Sequence, residues 1–194
     1  AKNGGGIVSS INGVRMCSAE ELYLKALKRM DRFISLGTTS IEAKSGYGLD
    51  TESELKSLEV IEKTNSNHCI DLTPTFMGAH AFPPEYENDH EGYVRLIIKD
   101  MIPRVAHQGI AKYIDVFCEE GYFSIDQTRS ILECGREHGL TPRIHADEFN
   151  NFGASQLASD VGAVSADHLM AIDDNSIQSL IDNNVVATLL LSLI

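Results

Sequence analysis

The chain has 194 residues, 16 of them basic and 28 acidic, for a formal net charge of −12 at neutral pH. With 43% hydrophobic and 23% charged residues, it lies in the globular range and can bury a sizeable core. The acidic balance argues against a nucleic-acid surface, and no run approaches the roughly 20 apolar residues of a membrane span.

The opening Ala1-Lys2-Asn3-Gly4 has no apolar core of a secretory signal. Cys17, Cys69, Cys118 and Cys134 stand far apart without a C-x-x-C pair. They read as reduced, mostly buried thiols of a cytoplasmic protein, not as a zinc site or disulfide framework.

In chain order, a helix is predicted near 19–35, entered by a capping box of Ser18 and Glu21 and striped by Tyr23, Leu27, Met30 and Ile34. A strand over Thr38–Ala43, a helix over 51–64 and a strand over Ile70–Thr75 follow. The turn-forming segment Phe82–Asp89 reads as a loop within one domain. Over 92–106, Val94, Ile97, Ile98, Met101, Ile102 and Val105 keep one helical stripe. The strand-like runs Tyr113–Phe117, Pro142–Ile144, Val164–Ala166 and Val185–Leu190 then alternate with helices. The first of these is opened by a second capping box, Ser124 with Gln127, and carries Ile131 and Leu132; the others fall at 152–160 and 174–183. Strands spaced by helices imply βα units around a parallel sheet.

Two parallel architectures compete. A doubly wound nucleotide binder would show a glycine-rich turn after its first strand, and Gly46-Tyr47-Gly48-Leu49-Asp50-Thr51 imitates one. Thr51 stands where the third glycine belongs, which weakens the match. The placement of polar residues favours a (β/α)₈ barrel. Five predicted strands run into Lys44-Ser45-Gly46-Tyr47, Gly78-Ala79-His80, Cys118-Glu119-Glu120, His145-Ala146-Asp147-Glu148 and Asp167-His168. In a barrel such ends converge on one rim. A whole barrel takes about 250 residues. Residues 1–194 therefore read as one partial barrel domain, the central portion covering about strands 2–7.

Among seven histidines, His68, His90, His107 and His138 fall in or beside helices and loops and read as structural. His80, His145 and His168 each follow a strand. A strand-end imidazole such as His145 suits zinc or iron, although a histidine hydrogen-bonded within its loop would leave the same trace. His168 fits a second ligand, a general acid/base or a core histidine. Glu148 can reach a reacting water or a substrate N–H. Lys44 is open to carbamylation or to an ordinary ion pair, and Cys118 to nucleophilic chemistry or simple burial.

Taken together, Gly4–Ser10, Lys44–Leu49, Gly78–Ala81, Asp115–Glu119, His145–Phe149 and Ser165–Leu169 resemble the imidazolonepropionase family of the amidohydrolase superfamily. The resemblance implies a cytoplasmic, metal-dependent hydrolase that opens the ring of 4-imidazolone-5-propanoate to N-formimidoyl-L-glutamate in histidine degradation. It implies His145 as a ligand of one divalent metal, zinc or iron, and His168 as the acid/base histidine. It also implies Tyr47 and His80 as holders of the propionate, Glu148 as the contact to the imidazolone ring, and a homodimer. The family's H-x-H pair, its propionate-binding arginine, its eighth-strand aspartate and its small flanking β-domain have no counterpart within residues 1–194. With one of four expected protein ligands, this polypeptide alone is expected to bind metal poorly and to be inactive. Two alternatives stay open: another amidohydrolase, such as a guanine or cytosine deaminase, and a non-catalytic, oligomerising fragment.

Overall fold

In a computed structural model, which describes residues 7–189, the chain divides after Lys112 into two units, each built of parallel strands and helices. The first contains α1 (Ile7–Met16), α2 (Ala19–Ser35), β1 (Ser40–Lys44), α3 (Thr51–Asn67) and β2 (Asp71–Ala79). A single-turn 3₁₀ segment, Pro84–Tyr86, precedes α4 (His90–Leu96) and α5 (Ile102–Gln108).

Helix α1 is absent from the predicted elements. Its sequence mixes β-branched residues with Gly13, all weak helix formers, so no stripe stands out. Its end is held from outside: Lys56 Nζ donates to the carbonyls of Val14 and Cys17 at 2.8 Å and of Arg15 at 3.3 Å. Those carbonyls are orphaned by the helix terminus. Of the motif at Gly4–Ser10, residues 4–6 lie outside the described residues.

Both arms of the first capping box form. Glu21 N–H donates to Ser18 Oγ at 3.2 Å, and Ser18 N–H donates to Glu21 Oε2 at 2.8 Å. The predicted stripe then lays Met30 and Ile34 against Ile41, Ile61, Ile70 and Leu72. Strands β1 and β2 pair in parallel from Ser40 with Asp71 to Lys44 with Thr75. β2 runs to Ala79, beyond the predicted Thr75, through the buried Phe76, Met77 and Ala79. A strand buried on both faces shows no alternation to mark its end.

The predicted helix 92–106 is continuous from His90 to Gln108, but residues Ile97–Met101 form a π-helical turn. Pro103 supplies the reason. It has no N–H to donate, and its ring would strike the carbonyl four residues back; widening the preceding turn relieves the clash.

The second unit contains β3 (Tyr113–Cys118), α6 (Ile125–Glu137), β4 (Thr141–Ala146), α7 (Ala154–Asp160), β5 (Ser165–His168), α8 (Asp174–Asp182) and β6 (Val186–Thr188). All three strand pairs are parallel. Helix α6 starts at the second capping box and buries Ile131 and Leu132. Ile114, Val116, Ile144, Ala146 and Ala166 contribute buried side chains from the strands. The final strand stops at Thr188, and Leu190, included in its predicted span, lies outside the described residues.

The cysteines correct one expectation. Only Cys118 is buried; Cys17 and Cys134 are half-buried and Cys69 is exposed, and all four are free thiols. No helix among the described residues is long and apolar enough to cross a membrane.

Candidate active site

In the first unit, β1 ends at Lys44 and the chain turns through Ser45–Asp50 into α3. Gly46 has φ +93°, a conformation that disfavours any Cβ, and a Cβ there would stand 2.8 Å from the carbonyl oxygen of Met77. This turn leaves Tyr47 42% exposed. The Tyr47 ring meets His80 edge-on, with centroids 5.1 Å apart. His80 follows β2 directly and is only 8% exposed. Its Nδ1 lies 2.9 Å from the Gly46 carbonyl. A carbonyl can only accept, so Nδ1 carries the proton. A phenol and an imidazole are thus held side by side.

In the second unit, strand register gathers the groups. His145 on β4 pairs with Asp167 on β5, and Asp115 lies two residues before His145's register partner on β3, Phe117. Asp115, His145 and Asp167 each offer a ligand atom within 4.8 Å of the others. The buried Asp115 carboxylate accepts from His145 Nδ1 at 3.0 Å, which fixes the tautomer and leaves Nε2 as the basic nitrogen.

Past the end of β4, Glu148 Oε1 lies 3.5 Å from His168 Nδ1, and the His168 ring centroid is 5.0 Å from that of His145. Burial pushes the Glu148 carboxyl above its ordinary pKa, and the Glu119 charge adds to the rise, while His145 draws it back. A carboxyl so placed can hold a proton and deliver it.

The loop carrying Glu148 is pinned at both ends. Asp147 Oδ1 accepts N–H groups from Phe152 at 2.9 Å and from Gly153 and Ala154 at 3.1 Å. Its Oδ2 accepts Ser155 N–H at 3.0 Å and the Ser155 hydroxyl. Glu119 Oε2 accepts Phe149 N–H at 2.9 Å. Left-handed backbone falls at this end of the strands: Asp147 (φ +48°), His168 (φ +79°) and Leu169 (φ +59°). Non-glycine residues in that region store strain that the surroundings must hold.

The structure thus brings Tyr47 beside His80 within the first unit, and His145, Glu148 and His168 together within the second. Asp115 and Asp167 join His145 without having been singled out by the sequence. A signal for Asp115 existed: an acid in the middle of the apolar run Tyr113–Cys118 is costly to bury unless it has a partner. Of the remaining candidates, Lys44 Nζ makes an ion pair with Glu42 at 3.4 Å. Burial pushes the Cys118 thiol up to about 12, which keeps it from acting as a nucleophile near neutral pH.

One imidazole and two carboxylates suit a borderline divalent cation, and their burial supplies the low-dielectric setting in which such an ion is held firmly. A metal bound there would supply Lewis acidity toward a carbonyl and make water acidic near neutral pH.

No protein-family model matches the chain. Among curated proteins, it is 48% identical over 187 residues to imidazolonepropionase from Geobacillus thermodenitrificans strain NG80-2. It is 49% identical over 187 residues to that from Shouchella clausii strain KSM-K16. The chain is a relative of the imidazolonepropionases. The similarity covers 96% of this chain but 44% and 42% of those two proteins, so the chain spans under half the length of the imidazolonepropionases it matches. Among solved structures, a 5-methylcytosine deaminase from Klebsiella pneumoniae liganded with 5-fluorocytosine superposes with a TM-score of 0.69 at 13% identity, over 93% of this chain and 46% of its own. Adenine deaminase from Arthrobacter aurescens gives 0.65 at 14% identity, over 93% of this chain and 55% of its own. These two likenesses carry the fold alone: a portion of the amidohydrolase (β/α)₈ barrel, as the strand-end pattern predicts.

Proposed function

We propose that the chain is the central barrel portion of a metal-dependent hydrolase that opens the ring of 4-imidazolone-5-propanoate to N-formimidoyl-L-glutamate. The observation that carries this reading is the 48% identity to an imidazolonepropionase across 96% of the chain. The cluster around His145 supports it, because hydrolysis of a cyclic amide needs an activated water, an acid for the leaving nitrogen and donors for the oxyanion.

In the proposed reaction, water adds to the ring carbonyl, the carbonyl–nitrogen bond breaks, and the nitrogen leaves with a proton. His168 takes the proton from the attacking water and returns it to the departing nitrogen. Glu148, whose carboxyl burial keeps protonated to higher pH, contacts the ring beside it. Tyr47 and His80 hold the propionate through O–H and N–H donors. His145, oriented by Asp115, binds zinc or iron, with Asp167 adjacent. The protein works in the cytoplasm, in keeping with its free thiols, and as a homodimer, which sedimentation of the purified protein tests. The 194-residue polypeptide, as one partial barrel domain, is inactive by itself.

The test is to express the longer protein that contains this chain and to offer it 4-imidazolone-5-propanoate, guanine and cytosine in parallel. Formation of N-formimidoyl-L-glutamate, followed by mass spectrometry, is the expected result. Ammonia release from either base, without turnover of the imidazolone, would replace the assignment with a deaminase.

A further inference from the structure

The loop that carries Tyr47 is organised by a residue outside the proposed chemistry. Glu54, in the second turn of α3, has no exposed surface at all. Its Oε2 accepts Gly46 N–H at 2.7 Å, and its Oε1 accepts Gly48 N–H at 3.1 Å and Leu49 N–H at 3.0 Å. The Ser45 hydroxyl is a fourth donor, and Ser45 Oγ in turn accepts Met77 N–H at 2.9 Å, which ties the loop to β2. Four donors from five consecutive residues converge on one carboxylate.

That convergence explains the look-alike phosphate turn. Positive φ at Gly46 (+93°) and Leu49 (+55°) folds the backbone into a concave nest of N–H groups, the form that elsewhere cradles an anion. Here the anion is the chain's own glutamate. The path is tight: a Cβ on Gly48 would fall 2.2 Å from that of Ser53, and one on Gly46 would crowd His80 Nδ1 at 3.1 Å. With Gly46 N–H on Glu54 and Gly46 C=O on His80, one peptide unit links the carboxylate to both members of the Tyr47–His80 pair.

We propose that Glu54 is the positioning residue of the propionate clamp: through the Ser45–Leu49 loop it fixes Tyr47 and His80 at the spacing that receives a carboxylate. The inference rests on the assignment of that pair to the substrate's propionate. A glutamine at 54 has one oxygen where three backbone N–H groups need two, so the loop relaxes while the side chain keeps its volume. The effect belongs to binding, since the groups proposed for proton transfer, Glu148 and His168, are elsewhere in the chain.

The experiment uses the longer protein with Glu54→Gln, Tyr47→Phe and the two combined. Glu54→Gln is expected to raise KM for 4-imidazolone-5-propanoate about tenfold, the factor carried by one charge-assisted hydrogen bond, with kcat within about threefold of the parent. Tyr47→Phe is expected to raise KM less in the Glu54→Gln background than in the parent, because the two act through one loop. A loss confined to kcat, or additive effects on KM, overturns the proposal. Ser45→Ala removes a single donor and gives a smaller KM rise, so it decides the matter should Glu54→Gln fail to fold. Hydrogen exchange over residues 45–50 separates this from the function itself. Faster exchange there in Glu54→Gln, with the rest of α3 unchanged, supports the loop's dependence on Glu54 even if the parent does not turn over the imidazolone. Unchanged exchange refutes it.

Discussion

Replacing Asp147 by asparagine isolates the carboxylate that anchors the Glu148 loop. The side chain is fully buried and accepts four backbone N–H groups and one hydroxyl. Asparagine keeps the shape, tolerates the left-handed backbone at φ +48°, and retains one oxygen for Phe152, Gly153 and Ala154. Its amide nitrogen, however, faces Ser155 N–H, donor against donor. The Ser155 hydroxyl can rotate to accept from the new amide, so one of the two bonds at Oδ2 is recovered. What remains is a buried, unsatisfied N–H and the loss of charge from the other contacts, together about 2–3 kcal/mol. With a urea m-value of about 1–3 kcal/mol per M, the unfolding midpoint of the second unit should fall by roughly 1–2 M, read by circular dichroism. A midpoint shifted by less than about 0.2 M would show that the N–H groups reach water in the native state, and the anchoring argument would fail.

Three more outcomes follow from the same coordinates. At pH 8 a thiol reagent should label Cys69 rapidly and Cys17 and Cys134 more slowly, and Cys118, with its thiol pushed up to about 12, only after unfolding; mass spectrometry of peptides reads the order. Asp160 is hydrogen-bonded to Arg129 at 2.9 Å, which lowers its pKa below the usual 3.8. Its contribution to stability is therefore present above that value and lost as pH falls through the lower folded pKa, so Asp160→Asn should flatten the acid limb of a stability–pH curve below about pH 4. His145→Ala should abolish zinc or iron uptake by the longer protein and Asp167→Asn should weaken it, both measured by elemental analysis; full retention of metal in the alanine variant would place the ion elsewhere.

What the sequence could show depended on how local the signal was. Capping boxes at Ser18 and Ser124 are short-range and appear as read, and so does the order of strands and helices. The strand-end histidines were visible because polar residues directly after apolar runs are conspicuous. Helix α1 was hidden because its stability comes from Lys56, some 40 residues later in the chain. The π turn was hidden because the apolar stripe through 94–105 survives it. Asp115 and Asp167 were overlooked for a different reason: their meaning lies in cross-strand register with His145, which no single stretch of sequence displays. Glu54 likewise reads as one more acid on an amphipathic helix until the loop closes over it.

The widened turn at Ile97–Met101 makes the two halves of that long helix out of phase with each other. Excising one residue there would restore regular α-helical winding, yet it would also swing everything after it by about 100° around the axis. Ile102 and Val105, now fully interior, would be carried toward solvent, and Arg104 would leave its ion pair with Glu52. The irregularity is thus a phase corrector, and a single-residue deletion at this spot should be far more damaging than one in the turn at Phe82–Asp89.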